Sequence, residues 1–146
     1  MISLHLTLAV AFGLLALIKR NERVEYGLLV AVYLSLFGIT LLYDHNDSTL
    51  YWLRMLVAVA SGFALAARKT DLGWYQATIQ AAILCSYGML SYDVSQGQHV
   101  LIYNKFEMVI YGLVACQFIG VYKPIRAINI HNLKRGLFNI LHIQRN

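Results

Sequence analysis

The sequence predicts an all-α membrane protein, a bundle of about five transmembrane helices followed by an amphipathic helix at the bilayer surface. Composition is the first reason. Of 146 residues, 59% are hydrophobic and 13% charged, with a mean hydropathy of +0.58, against averages of about 45–50% and 25% in soluble domains. The second is a succession of five apolar runs separated only by short polar connectors. The third is the placement of Lys and Arg, which fall in alternate connectors.

The runs cover about 2–18, 24–43, 50–67, 72–92 and 100–122. At 1.5 Å per helical residue, roughly 17–25 residues cross a hydrocarbon layer of ~30 Å. Runs one and three are short, which suits little tilt or a thinned bilayer. The first run has no basic residue before it and Lys19-Arg20 behind it, which is the order of an outward-facing N-terminal anchor and not of a secretory signal peptide. Residues 1–122 thus form one membrane domain and 123–146 a tail.

Orientation follows from the connectors, because Lys and Arg are retained on the cytoplasmic side. Lys19, Arg20 and Arg23 occupy the first connector and Arg68 and Lys69 the third. The second and fourth contain neither Lys nor Arg and carry Asp44, Asp47 and Asp93. With the tail included, ten basic residues lie on one side, which places the N-terminus outside and the C-terminus in the cytoplasm, as in a bacterial inner membrane protein. Aromatic residues mark the two interfaces, Tyr43, Tyr51, Trp52, Tyr92 and Tyr103 outside, Tyr26, Trp74, Tyr75 and Tyr122 inside.

A shift of 49 residues brings Gly13 onto Gly62, Lys19-Arg20 onto Arg68-Lys69, Tyr26 onto Tyr75 and Tyr43-Asp44 onto Tyr92-Asp93. This reads as a duplicated helical hairpin, with the fifth span opening a third copy. Small residues four apart occur in every span, Ala9/Gly13, Gly27/Ala31/Ser35, Ala58/Gly62/Ala66, Ala77/Ala81/Cys85 and Gly112/Cys116/Gly120. In lipid, close backbone approach at such stripes drives helix association. Gly13, Gly27, Gly62, Ala81, Gly112 and Gly120 are therefore the expected packing positions, within the chain or between copies of it. Cys85 and Cys116 read as small packing residues without redox meaning.

Four ionisable residues, His5, Arg54, Lys105 and Glu107, fall inside apolar runs. All are in odd-numbered spans, a few residues from the outer end, so they share one depth. Such groups cost several kcal/mol in a span unless they snorkel, pair or meet water. Arg54 and Lys105 have stems long enough to snorkel, and His5 suits a neutral interfacial site. Glu107 is short and about two turns deep, on a face with Tyr103, Asn104 and Tyr111. Its natural partner is Arg54, in direct or water-bridged contact, as a lock between spans three and five; a water-filled outer vestibule or proton-linked site is the alternative. Glu25 is expected to pair locally with Arg23 or Lys19, and Gln76, Gln80 and Gln117 to bond across helices.

The tail opens at Lys123-Pro124, where proline suits the first turn of a new helix. Ile130, Leu133, Leu137, Ile140 and Leu141 share one helical face, the pattern of a helix lying in the headgroup plane. Lys123, Arg126, Lys134, Arg135 and Arg145 are expected to contact anionic inner-leaflet headgroups. The aliphatic face favours lipid over nucleic acid as the partner of these charges.

The sequence contains no phosphate-cradling glycine loop, no HExxH, no GxSxG and no carboxylate cluster suited to a metal, so no cofactor or metal is expected. The leading functional expectation is a non-enzymatic membrane protein, a self-associating scaffold or small channel-like subunit. A membrane-permeabilising protein of the phage holin type is one alternative. The other is a small transporter or lipid-modifying enzyme using Glu107, Arg54 and His5.

Overall fold

The computed structural model describes residues 2–44, 46–97, 105–121 and 135–140, and every regular element among them is helical. Helix α1 runs Ile2–Ile18, α2 Arg23–Leu42, α3 Ser48–Ala67, α4 Asp71–Ser95 and α5 Lys105–Ile119, with a single 3-10 turn, Arg20–Glu22, between α1 and α2. The first four match the apolar runs to within three residues at each end. Residues 98–104 and 122–134 lie outside the described residues, as do 141–146. Expectations resting on Tyr103, Asn104, Tyr122, Lys123, Arg126, Lys134 and Arg145 therefore lie outside them too; Arg135 opens a helical stretch at 135–140 and is exposed.

Local chemistry sets the boundaries. Asp47 caps α3 by accepting from the Thr49 amide at 2.9 Å, and Thr70 caps α4 by accepting from the Gly73 amide at 3.1 Å. Between them the chain leaves α3 through Lys69, which takes the left-handed conformation (φ 54°) and donates its amide to the Ala66 carbonyl at 3.1 Å. The turn is so tight that a Cβ on Gly73 would sit 2.5 Å from the Leu65 carbonyl oxygen. Gly97, at φ 76°, ends α4 as a C-terminal glycine does.

Packing is most extensive between α1 and α2 and between α3 and α4, so the chain folds as two antiparallel hairpins with α5 laid against them. Phe12 joins three helices by stacking on Tyr33 of α2 at 5.6 Å and Phe118 of α5 at 4.6 Å. A second cluster runs through Leu50, Tyr51, Ile79, Ile83, Tyr87 and Leu90, closed by Ile110. On α5, Glu107, Ile110, Val114 and Gln117 recur at three- and four-residue steps and form its inward stripe.

Polar and charged side chains share the apolar interior, while large apolar ones stand outside. The interior holds His5, Glu25, Arg54, Gln76, Gln80, Glu107 and Gln117, while Leu42 is 79% exposed, Phe63 76%, Ile18 75% and Leu56 64%. Two helical segments, Arg20–Leu42 and Ser48–Ala67, are long and apolar enough to cross a bilayer, and α1 is apolar but shorter.

The expected packing residues divide. A Cβ on Gly13 or Gly62 would come within 4 Å of Val30 or Gln80, and Gly120 lies so close to the Tyr75 ring that a Cβ there would strike it. Gly27, Ala81 and Gly112 are exposed. The whole Gly27/Ala31/Ser35 stripe faces outward, because α2 buries the opposite face through Tyr26, Leu29, Tyr33, Leu36 and Thr40. The aromatic markers divide too: Trp52, Trp74 and Tyr92 point outward, whereas Tyr26, Tyr51 and Tyr75 pack inside.

Candidate functional site

All five helices converge on one small cavity of about 30 Å³. The odd helices contribute their N-terminal halves (Leu4 to Leu8, Tyr51 to Ala58, Glu107 to Val114). The even ones contribute their C-terminal halves or middles (Val32 to Leu36, Gln80 to Leu90). An up-and-down bundle produces this alternation, since each reversal carries the chain back to the same level. His5, Arg54 and Glu107 all line the cavity and are 6%, 2% and 4% exposed. Lys105, at the start of α5, is exposed and lies over the Phe106 ring at 5.0 Å, outside the group.

Arg54 sits on the face of α3 that carries Tyr51, Ala58, Ser61 and Leu65 inward, so its guanidinium enters the bundle and does not snorkel. One amino group donates to Thr40 Oγ1 at 3.0 Å. The guanidinium carbon lies 5.5 Å from the Tyr51 ring centroid and 5.6 Å from that of Tyr87, within cation–π range. Its Nε is buried without a hydrogen-bond partner. Glu107 accepts from the Tyr111 hydroxyl at 3.2 Å, one helical turn on. No direct ion pair joins Arg54 to Glu107, although both line the cavity. The His5 ring tilts against that of Tyr33 at 6.3 Å.

Below the cavity, polar side chains tie α5 to the hairpins. Tyr33 donates its hydroxyl to Gln117 Oε1. Gln76 Nε2 donates to the Gln117 carbonyl at 3.1 Å, and Tyr75 donates to the Cys116 carbonyl at 2.7 Å. At the opposite end of the bundle Lys19 Nζ reaches the Val121 carbonyl at 2.8 Å. Glu25 does not pair with Arg23 or Lys19 as expected. It turns toward the α3–α4 connection, accepting from Thr70 Oγ1 at 2.9 Å and Arg68 Nε at 3.3 Å. The local basic residues lose it because Glu25 shares the buried face of α2 with Tyr26 and Leu29, while Arg23 is exposed.

Sequence reasoning passed over Thr40, Tyr33 and Tyr87, and it read Tyr51 as an interfacial marker. A signal was present: Tyr26, Tyr33 and Thr40 are seven apart, as are Gln80 and Tyr87, and seven residues return to the same helical face. Polar residues repeating at that interval mark the inner face of these helices. The cavity accepts about two or three water molecules, each needing roughly 10–15 Å³, and lies far below the roughly 300–1,000 Å³ of organic-ligand pockets. Among the described residues no group of three His, Cys, Asp or Glu is arranged to hold a metal ion. In comparisons with known proteins, no family model, no curated protein and no solved structure matches the chain.

Proposed function

We propose that this chain is an integral membrane protein of five spans that works without catalysis, as a self-associating scaffold subunit with a hydrated polar lock at its centre. The observation that carries the proposal is the pairing of buried charge with an apolar exterior: Arg54, Glu107 and Glu25 lie buried beneath exposed Leu, Ile and Phe. In water such a surface would drive aggregation. In lipid it is the expected exterior, and interior polar groups then hold helices together where hydrophobicity cannot. The topology follows the connectors, with the Asp44–Asp47 turn outside and the Arg68–Lys69 turn in the cytoplasm.

Self-association is supported by the small-residue stripes left on the outside. Gly27, Ala31 and Ser35 are all exposed on α2, and Ala81 and Cys85 are exposed on α4. These smooth strips allow the close approach that membrane helix pairs use, and a two-fold contact would bring the same strip of each copy together. A central cavity sized for water favours a structural role over the transport or modification of a larger molecule.

The test is extraction and crosslinking. The protein should resist alkaline carbonate extraction from membranes. Copper-phenanthroline oxidation should give a dimer through Cys85 in the natural chain, or through position 31 in Ala31→Cys/Cys85→Ser. A protein that washes off the membrane refutes the membrane reading. A membrane-embedded protein that is monomeric by crosslinking and by mass in mild detergent refutes self-association.

A further inference from the structure

We propose that the turn between α1 and α2 is a binding site for the phosphate of an anionic phospholipid; the inference rests on the membrane reading above. An open cleft of about 290 Å³ lies at this turn, lined by Ala16, Leu17, Arg20 and Arg23. The two arginines are three residues apart across the 3-10 turn, and both are exposed. Among the described residues neither guanidinium has a hydrogen-bond or ion-pair partner.

The other basic residues of the same two connectors are disposed differently. Lys19 is held by the Val121 carbonyl, Arg68 is engaged by Glu25, and Lys69 does not line the cleft. Two exposed arginines lining one cleft suit phosphate oxygens, which the guanidinium fork binds bidentately. Glu22, between them, has a carboxylate oxygen buried away from solvent.

The apolar half of the cleft points to lipid over free phosphate. Leu17 belongs to an exposed stripe with Leu14 and Val10, at three- and four-residue steps along α1. A headgroup held by Arg20 and Arg23 would lay an acyl chain along this stripe, about 10 Å of helix by the rise per residue. A soluble phosphate would leave it bare.

The full chain, purified in mild detergent, is titrated with phosphatidylglycerol or phosphatidylcholine, and bound lipids are counted by native mass spectrometry. Parallel arms add excess inorganic phosphate and compare Arg20→Gln/Arg23→Gln with Lys69→Gln. Each basic residue near an anionic surface contributes roughly fivefold, so the double variant should retain phosphatidylglycerol about 30-fold more weakly. Lys69→Gln should behave as the natural chain, phosphatidylcholine should bind more weakly, and inorganic phosphate should not displace the lipid. Equal retention by the double variant, an equal loss in Lys69→Gln, or displacement by inorganic phosphate overturns the site. Carbonate extraction of the same variants separates the two readings. If both remain membrane-embedded, a failure belongs to the site alone; if the natural chain is soluble, the membrane reading has failed.

Discussion

Removing the charges of Arg54 and Glu107 together should destabilise the bundle by about 3 kcal/mol less than the sum of the two single effects. The guanidinium has one described hydrogen bond, to Thr40 at 3.0 Å, and two ring contacts at 5.5 and 5.6 Å. Breaking one side of a buried charge pair leaves the other uncompensated, at a cost of about 3–5 kcal/mol. Arg54→Met keeps most of the stem volume, so its loss should fall in that range. Glu107→Gln keeps shape and removes charge. If one water bridges the pair, the charges lie roughly 5–6 Å apart, and an effective dielectric of about 20 gives a mutual attraction near 3 kcal/mol. The double variant should therefore be about 3 kcal/mol more stable than the sum of the single effects implies. Reversible unfolding in mixed micelles, followed by far-ultraviolet circular dichroism on all four proteins, measures this coupling. Additivity to within about 0.5 kcal/mol, as for independent sites, would refute the shared cavity as an electrostatic unit.

Three further substitutions probe the packing. Gly73→Ala drives a methyl toward the Leu65 carbonyl oxygen at 2.5 Å and should cost about 1–3 kcal/mol by overpacking, read as a lower unfolding midpoint; unchanged stability would mean the α3–α4 turn is looser than described. A Cβ on Gly27 would meet nothing within 4 Å and Gly27 is exposed, so in Gly27→Leu the monomer should fold normally while dimer crosslinking falls if the α2 stripe forms the contact; a destabilised monomer would contradict its outward placement. Glu25→Ala removes the acceptor of Thr70 and Arg68 and should cost about 1–3 kcal/mol. Arg68→Ala should cost less than about 1 kcal/mol, because Arg68 is 44% exposed and screened by solvent. The reverse order in the same unfolding assay would overturn that assignment.

The helices were legible because each is a long apolar run, and the connectors at Lys19–Arg23, Asp44–Thr49 and Arg68–Asp71 interrupt those runs with charge. The meeting of His5, Arg54 and Glu107 was legible for a related reason, since equal distance from alternate ends fixes equal depth in an up-and-down chain. Direction around each helix was harder to read. Small residues such as Gly27 and Ala81 suit either a neighbouring helix or the outside, and only the buried face of the same helix decides between them. Glu25 illustrates the same gap: local spacing favours Arg23, while the rotation of α2 hands the carboxylate to Thr70 and Arg68, more than forty residues away. Lys105 shares α5 with Glu107 but stands two residues away, on another side of the helix.

Cysteine accessibility in intact cells tests the lipid-solvated, up-and-down arrangement most directly. In a Cys85→Ser/Cys116→Ser background, a membrane-impermeant maleimide should label Asn46→Cys and Gln96→Cys from outside. Asn21→Cys and Lys69→Cys should label only after the cells are permeabilised. Labelling of all four positions from one side, or of none without lysis, would contradict the alternation on which the shared depth of Arg54 and Glu107 depends.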